Sequence, residues 1–234
     1  MSRPSVTQHS ASIARMFGAI ADHYDLMNWV MTAGQDQRWR RQAAEVVALS
    51  PGCVALDVAT GTGDLALELA RKVQPGGHVI GVDFVDRMLQ RARNKARSSG
   101  LPVGFEKADA LALPYPDASF DAVTCAFGVR NFEDRQKGLA EMVRVARPGR
   151  RVAILELTPP RNLLAKRYMD EVIPRLGQLL ARARDAYTYL PESVEDFPDA
   201  ETLGKMMQAA GLQKVTYRLL NFGTVALHWG ARRA

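Results

Sequence analysis

Cysteine is scarce in this chain. Cys53 and Cys125 are the only two in 234 residues, too few for a disulfide framework or a zinc site. Both stand in apolar segments that read as strands, so buried thiols in a reducing cytoplasm are expected. Long apolar runs are missing as well: none approaches the roughly 18 uninterrupted apolar residues that span a bilayer. The opening Met-Ser-Arg-Pro-Ser-Val has no apolar stretch behind its charge, so neither a secretory leader nor a membrane span is expected. Repeats and low-complexity tracts are absent. Aromatics make up 7% of residues and do not alternate with basic ones, as a nucleic-acid stacking platform would require. The net charge of +6 suits RNA, anionic lipid or an anionic cofactor, and describes association rather than chemistry.

What is present is 234 residues with 47% apolar content, long enough to bury one substantial core and rather short for two full domains. The expected organisation is one domain, with a helical lead-in over residues 1–50, a core over 51–160, an insertion over 161–198, and a C-terminal helix and hairpin over 199–234. Val54 to Val58 reads as a strand, a glycine turn follows, and Leu65 to Lys72 carries apolar residues at helical spacing. The unit returns with a strand from His78 to Asp83 and a helix from Arg87 to Ser98, capped by Asp86 and stopped by Gly100 and Pro102. Strands are expected at Val103–Lys107, Phe120–Ala126 and Arg151–Leu157, with a helix at Arg135–Val145 ending before Pro148-Gly149. Such alternation predicts an α/β fold with a doubly wound, mostly parallel, Rossmann-like sheet. Asp199 is read as the cap of a helix from Ala200 to Ala210. The segments Val215–Leu220 and Thr224–Trp229 are then read as a closing hairpin.

The stretch Asp57-Val58-Ala59-Thr60-Gly61-Thr62-Gly63-Asp64 lies where the first strand gives way to a helix, and its glycines let the backbone turn tightly against a ligand. Gly61 and Gly63, with Asp83 beyond them, also fit a nicotinamide-dinucleotide fingerprint. Charge arbitrates. A pyrophosphate favours bare amides at a helix start and is repelled by carboxylates, whereas Asp57 and Asp64 bracket this turn. S-adenosylmethionine carries an ammonium and a sulfonium and no phosphate, so acids around the glycines attract it. Asp83 at a strand end is suited to accept from both ribose hydroxyls, or else caps the next helix. Asp109 and the backbone of Ala110 are candidates for the adenine, or an ordinary turn. The expected cofactor is S-adenosylmethionine, with no metal.

Together these segments resemble the class I S-adenosylmethionine methyltransferases. Four further pieces are similar to the ubiquinone/menaquinone biosynthesis C-methyltransferase family: Phe17 to Asn28 (FGAIADHYDLMN), Phe127 to Asn131 (FGVRN), Asp185 to Val194 (DAYTYLPESV) and Gly223 to His228 (GTVALH). The resemblance runs from about Phe17 to Gly230. It implies methylation of a ring carbon in a polyprenylated quinol, demethylmenaquinol to menaquinol, and cofactor contacts at Thr62, Asp83, Asp109 and Ala110. Gly18, Arg150 and Ala126 depart from the family's usual residues.

Carbon methylation of a quinol requires the ring hydroxyl to lose its proton and the carbon to be held near the methyl, in line with the leaving sulfur. Arg130 is the expected phenolate donor, Asn131 a helper, and Tyr24 a catalytic candidate. The base stays open among Tyr24, Asp25, Tyr187 and His23, and His228 reads as a packing residue. Apolar and basic residues mix over 162–184, which suits either a lid where an isoprenoid enters from an anionic membrane or a core-facing helix pair. The rivals are methylation of a methoxylated benzoquinol, a noncatalytic cofactor-binding subunit, and nucleic-acid methylation. The last is disfavoured because Cys125-Ala126-Phe127-Gly128 lacks the proline pair of such enzymes. The expected partners are therefore a polyprenylated quinol, no nucleic acid, a peripheral contact with an anionic membrane and a homodimer, at the inner membrane face of the cytoplasm.

Overall fold

The computed structural model describes residues 6–159 and 193–233. Three helices lead in: α1 (Val6–Ile20), α2 (Tyr24–Thr32) and α3 (Gln35–Val46). The lead-in expected as helical over residues 1–50 is thus divided twice, by Ala21 to His23 and by left-handed Ala33 and Gly34. The alternating part follows as β1 (Val54–Val58), α4 (Asp64–Val73), β2 (His78–Asp83), α5 (Asp86–Ser99), β3 (Val103–Lys107), β4 (Phe120–Ala126), α6 (Arg135–Val145) and β5 (Ala146–Leu157). Helix α7 (Ala200–Ala209) and strands β6 (Leu212–Leu220) and β7 (Val225–Arg232) close the chain.

Two local expectations are corrected. Strand β5 starts five residues before Arg151 and runs through Pro148-Gly149, which bends the strand rather than separating it from α6. Asp86 is the first residue of α5, not its cap, and its carboxylate pairs with Lys107 at 2.6 Å instead. Asp199 does cap α7, accepting from the Thr202 amide at 2.9 Å. Cys53 lies just ahead of β1, and both cysteines are buried free thiols.

The seven strands are ordered β3-β2-β1-β4-β5-β7-β6. The first five are parallel, and β7 runs antiparallel between β5 and β6 as the expected hairpin. Both faces are covered. Along β1, Ala55 packs with Leu65, Leu69 and Trp39 on one side, while Leu56 and Val58 pack with Leu139, Met142 and Met207 on the other. The same alternation recurs in the central stretches of β4 and β5, where Ala122, Ala153 and Leu155 join the first side and Val123, Cys125, Val152 and Ile154 the second, as a doubly covered parallel strand requires.

Strand order reverses between β1 and β4. Connections from β1 run outward to β2 and β3, and those from β4 run the opposite way, so the carboxyl ends of β1 and β4 part and leave a crevice. The glycine turn leaves β1 at that point, and the Phe127–Asn131 turn leaves β4.

Candidate active site

The glycine turn is held from both sides. Gly61 and Gly63 have φ of +55° and +86°, a region open to glycine at no steric cost. At Gly63 a Cβ would also stand 2.9 Å from the Phe105 ring, so this helix start can approach β3 only without a side chain. The Gly61 amide donates to Asp83 Oδ2 at 2.9 Å, and the Val85 amide donates to Asp83 Oδ1 at 2.9 Å. Burial raises the Asp83 pKa, and the amides oppose that rise. Each oxygen still has lone pairs for further donors.

Asp57 lies deeper. Its carboxylate accepts from Thr60 Oγ1 at 2.6 Å and from Thr124 Oγ1 at 2.8 Å. Burial pushes its pKa up to about 6, against the two hydroxyls and the nearby Arg40 charge. Thr62 hydroxyl donates to Asp25 Oδ1 at 2.6 Å, and Lys95 reaches Thr62 Oγ1 at 3.0 Å. The same Lys95 pairs with Asp25 and Asp64, each at 2.6 Å. Helix α2 is thereby tied to the glycine turn.

One cavity at the crevice brings together Asp57, Gly61, Thr62, Asp83, Asp109, Ala110, Tyr24 and Asn131. Gly63 borders it as the cap of α4. Asp109 is the most exposed of these acids and accepts from the Leu111 amide at 2.8 Å.

Arg130 departs from its expected place. It is not among the cavity residues: Nη1 donates to Glu156 Oε1 and to the Phe127 carbonyl, each at 2.7 Å, and the Arg130 amide donates to Glu156 Oε2 at 3.2 Å. The guanidinium neutralises a carboxylate of β5 and fastens the turn after β4. Its charge is spent inside the protein, because Glu156 is fully buried and needs a cation.

Of the residues left open as base, Asp25 serves the Thr62–Lys95 network, exposed His23 precedes α2 outside the cavity, and Tyr187 lies outside the described residues. His228 is buried in β7, its Nε2–H donating to the Ala200 carbonyl at 2.7 Å, in keeping with a packing role.

The sequence reading missed three residues. Phe127 adopts φ +58° and turns its ring towards Trp39, 6.5 Å away between centroids. Glu156 was hidden in an apolar strand. Arg40 lines the cavity from α3, although its place in a Trp-Arg-Arg run reads as surface. Its i,i+4 spacing from Asp36 was the available signal.

Among solved structures the chain is similar to the [4+2]-cyclase SpnF, with a TM-score of 0.72 at 18% identity over 100% of this chain and 98% of that one. It is also similar to a SAM-dependent methyltransferase from Aquifex aeolicus, with a TM-score of 0.61 at 23% identity over 82% and 88%. These likenesses concern the fold, which is that of the class I methyltransferases. In sequence it is 51% identical to the demethylmenaquinone methyltransferase of Deinococcus radiodurans, over 95% of this chain and 93% of that protein. It is 50% identical to the enzyme of the same name from Thermus thermophilus, over 93% and 100%. It is 41% identical to the ubiquinone/menaquinone biosynthesis C-methyltransferase of Geobacter sulfurreducens, over 97% and 91%. Residues 5–232 match the profile of the ubiE/COQ5 methyltransferase family, and the chain belongs to that family.

Proposed function

We propose that this protein transfers the methyl group of S-adenosylmethionine to a ring carbon of a polyprenylated quinol, converting demethylmenaquinol to menaquinol. The observation that carries the reading is the acid-flanked glycine turn at the switch point of the sheet, in a chain half-identical to enzymes of that name. The donor set suits a phosphate-free cationic nucleotide: Asp57, Asp64 and Asp83 surround the turn, where a pyrophosphate would be repelled.

When bound, the cofactor supplies an electrophilic methyl on a sulfonium. Asp83 binds the ribose hydroxyls with the lone pairs its two amide bonds leave over. Asp109 and the Ala110 backbone hold the adenine. The field of Asp57, whose hydrogen-bond partners are the neutral Thr60 and Thr124 hydroxyls, favours the cationic end, Asp64 being paired with Lys95, and Thr62 keeps the turn closed through Asp25. Asn131, from the turn after β4, donates to a quinol oxygen, and Tyr24, beside Val85 and Met88, hydrogen-bonds the ring hydroxyl that must lose its proton. Phe17, Phe127 and Phe132 supply apolar walls that exclude water from the ring. Arg130 acts through Glu156 as a positioning residue, holding the turn that presents Asn131.

Residues 161–198 are proposed as the lid through which the isoprenoid enters; most of that stretch lies outside the described residues. Among the described residues no helix is long and apolar enough to cross a membrane. Contact with the inner membrane face, a cytoplasmic location and a homodimer belong to this proposal.

The test is incubation of the purified protein with S-adenosylmethionine and reduced demethylmenaquinol, in parallel with the demethylated 6-methoxybenzoquinol. Faster formation of menaquinol is expected. Preference for the benzoquinol would reassign the substrate, and cofactor binding without transfer to either would make the protein a noncatalytic subunit.

A further inference from the structure

Five acidic residues line the cavity, Asp57, Asp64, Asp83, Asp109 and Glu133, and Arg40 is the one basic residue among the described lining. Arg40 comes from α3, outside the alternating part of the fold. Its side chain and that of Asp36 are only 6% and 4% exposed, and Nη1 donates to Asp36 Oδ2 at 2.7 Å. Its guanidinium carbon lies 5.3 Å from the centroid of the Phe127 ring. The planar group is therefore fixed by an ion pair on one side and a ring face on the other.

An arginine has five N–H donors, and the bond to Asp36 engages one of them. Among the described residues no acceptor engages Nε or Nη2. A buried ion pair contributes little that well-packed apolar residues would not, so packing alone gives no reason for a guanidinium in this wall. Asp57 lies close enough to feel both charges: Arg40 favours its ionised form and Asp83 opposes it. The cavity thus runs from a ribose end at Asp83, past Asp57, to a cation at Arg40.

The methionine part of the methyl donor is a zwitterion with a sulfonium beside it. Acids account for the ammonium and the sulfonium, but they repel the α-carboxylate, which needs a cation of its own. We infer that Arg40, braced by Asp36 and Phe127, binds the α-carboxylate of the methyl donor. This selects amino-acid-bearing nucleosides over those that lack the carboxylate. The inference rests on the S-adenosylmethionine reading above and adds to it the residue that reads the far end of the ligand.

Calorimetry of the full chain with S-adenosylhomocysteine and with its decarboxylated analogue tests this. The wild type should prefer the carboxylate-bearing ligand by about 10- to 100-fold, as expected for a hydrogen-bonded charge pair. In Arg40→Met the preference should shrink below about threefold, through weaker S-adenosylhomocysteine binding with the analogue little changed. If that variant fails to fold, the double variant Asp36→Leu, Arg40→Met, which removes both buried charges, is read the same way. Equal affinity of the wild type for both ligands would overturn the inference, and so would a variant that weakens both alike. Retained preference in the variant would overturn it too, and would turn Arg40 towards the quinol instead. Failure of the wild type to bind either ligand would sink the cofactor reading itself, an outcome distinct from lost discrimination.

Discussion

Arg130 and Glu156 face each other at 2.7 Å, their side chains 5% and 1% exposed. This pair joins the turn after β4 to the end of β5, the two segments that bound the crevice on the side of Asn131. Removing the cation leaves a buried carboxylate without its partner, which costs about 3–5 kcal/mol. Arg130→Met should therefore lower the thermal midpoint and turnover together, whereas Arg130→Met combined with Glu156→Leu should regain much of the stability. Thermal unfolding of both variants checks this; an unchanged midpoint in the single variant would free Arg130 for a direct role in chemistry.

Asp83→Asn keeps the size of the side chain and weakens its acceptance from the Gly61 and Val85 amides and from ribose. Affinity for S-adenosylhomocysteine should fall by about 10-fold or more, since hydrogen bonds to a charged group are worth roughly 1.5–3 kcal/mol. Titration calorimetry measures the loss directly. Binding within twofold of wild type, on the order of 0.4 kcal/mol, would move the ribose elsewhere.

Asp57, with its pKa pushed up to about 6 by burial, links cofactor binding to pH. A cationic ligand favours the ionised carboxylate, so binding releases a proton at low pH and the affinity for S-adenosylmethionine should rise between about pH 5 and 7. S-adenosylhomocysteine, which lacks the sulfonium charge, should show a shallower rise. Asp57→Asn should flatten both curves; parallel slopes for the two ligands in the wild type would contradict the electrostatic account.

His228 gives the fold an acid-side weakness. Burial lowers its pKa below 6.5, so in the native state the ring stays neutral where the unfolded chain already binds a proton. Its stabilising contribution is present above about pH 6.5 and is lost as pH falls below that value. Asp57 acts with the opposite sign, because its raised pKa favours the native state at low pH and that contribution disappears as pH rises towards about 6. Thermal midpoints of His228→Gln and Asp57→Asn across this range separate the two: the first should flatten the acid-side fall, and the second should deepen it.

Gly128 tests the close approach of the two turns. A Cβ there would stand 2.6 Å from that of Ala59 and 2.8 Å from Cys125 Sγ. Gly128→Ala should push the turn after β4 away from the glycine turn, costing about 1–3 kcal/mol of stability and weakening cofactor binding. Unfolding and calorimetry on one sample would show whether the two losses travel together.

The sheet was legible in the sequence because parallel strands covered on both faces leave runs such as Val54-Ala55-Leu56, and because Gly61 and Gly63 punctuate the first crossover. That Asp57, Asp64, Asp83 and Asp109 gather at one cavity was legible for a related reason, since each stands near the carboxyl end of a strand or at a helix start, where chain order sets position. Arg130 was misplaced because periodicity fixes the turn it sits in but not its partner, and Glu156 lies 26 residues away, masked by Ile154 and Leu155. Arg40 escaped notice for a similar reason. A basic residue on an early helix looks solvated until α3 is packed over the crevice, and the spacing from Asp36 indicates a pair on the helix but not the long-range contact that buries it.

The most direct test of the central claim, that carboxylates around the glycine turn select a cationic, phosphate-free nucleotide, is calorimetry of the wild-type protein with S-adenosylhomocysteine and NADH in turn. Saturable heat with the first and none with the second is the predicted result. Tight association with NADH and no heat with S-adenosylhomocysteine would contradict it.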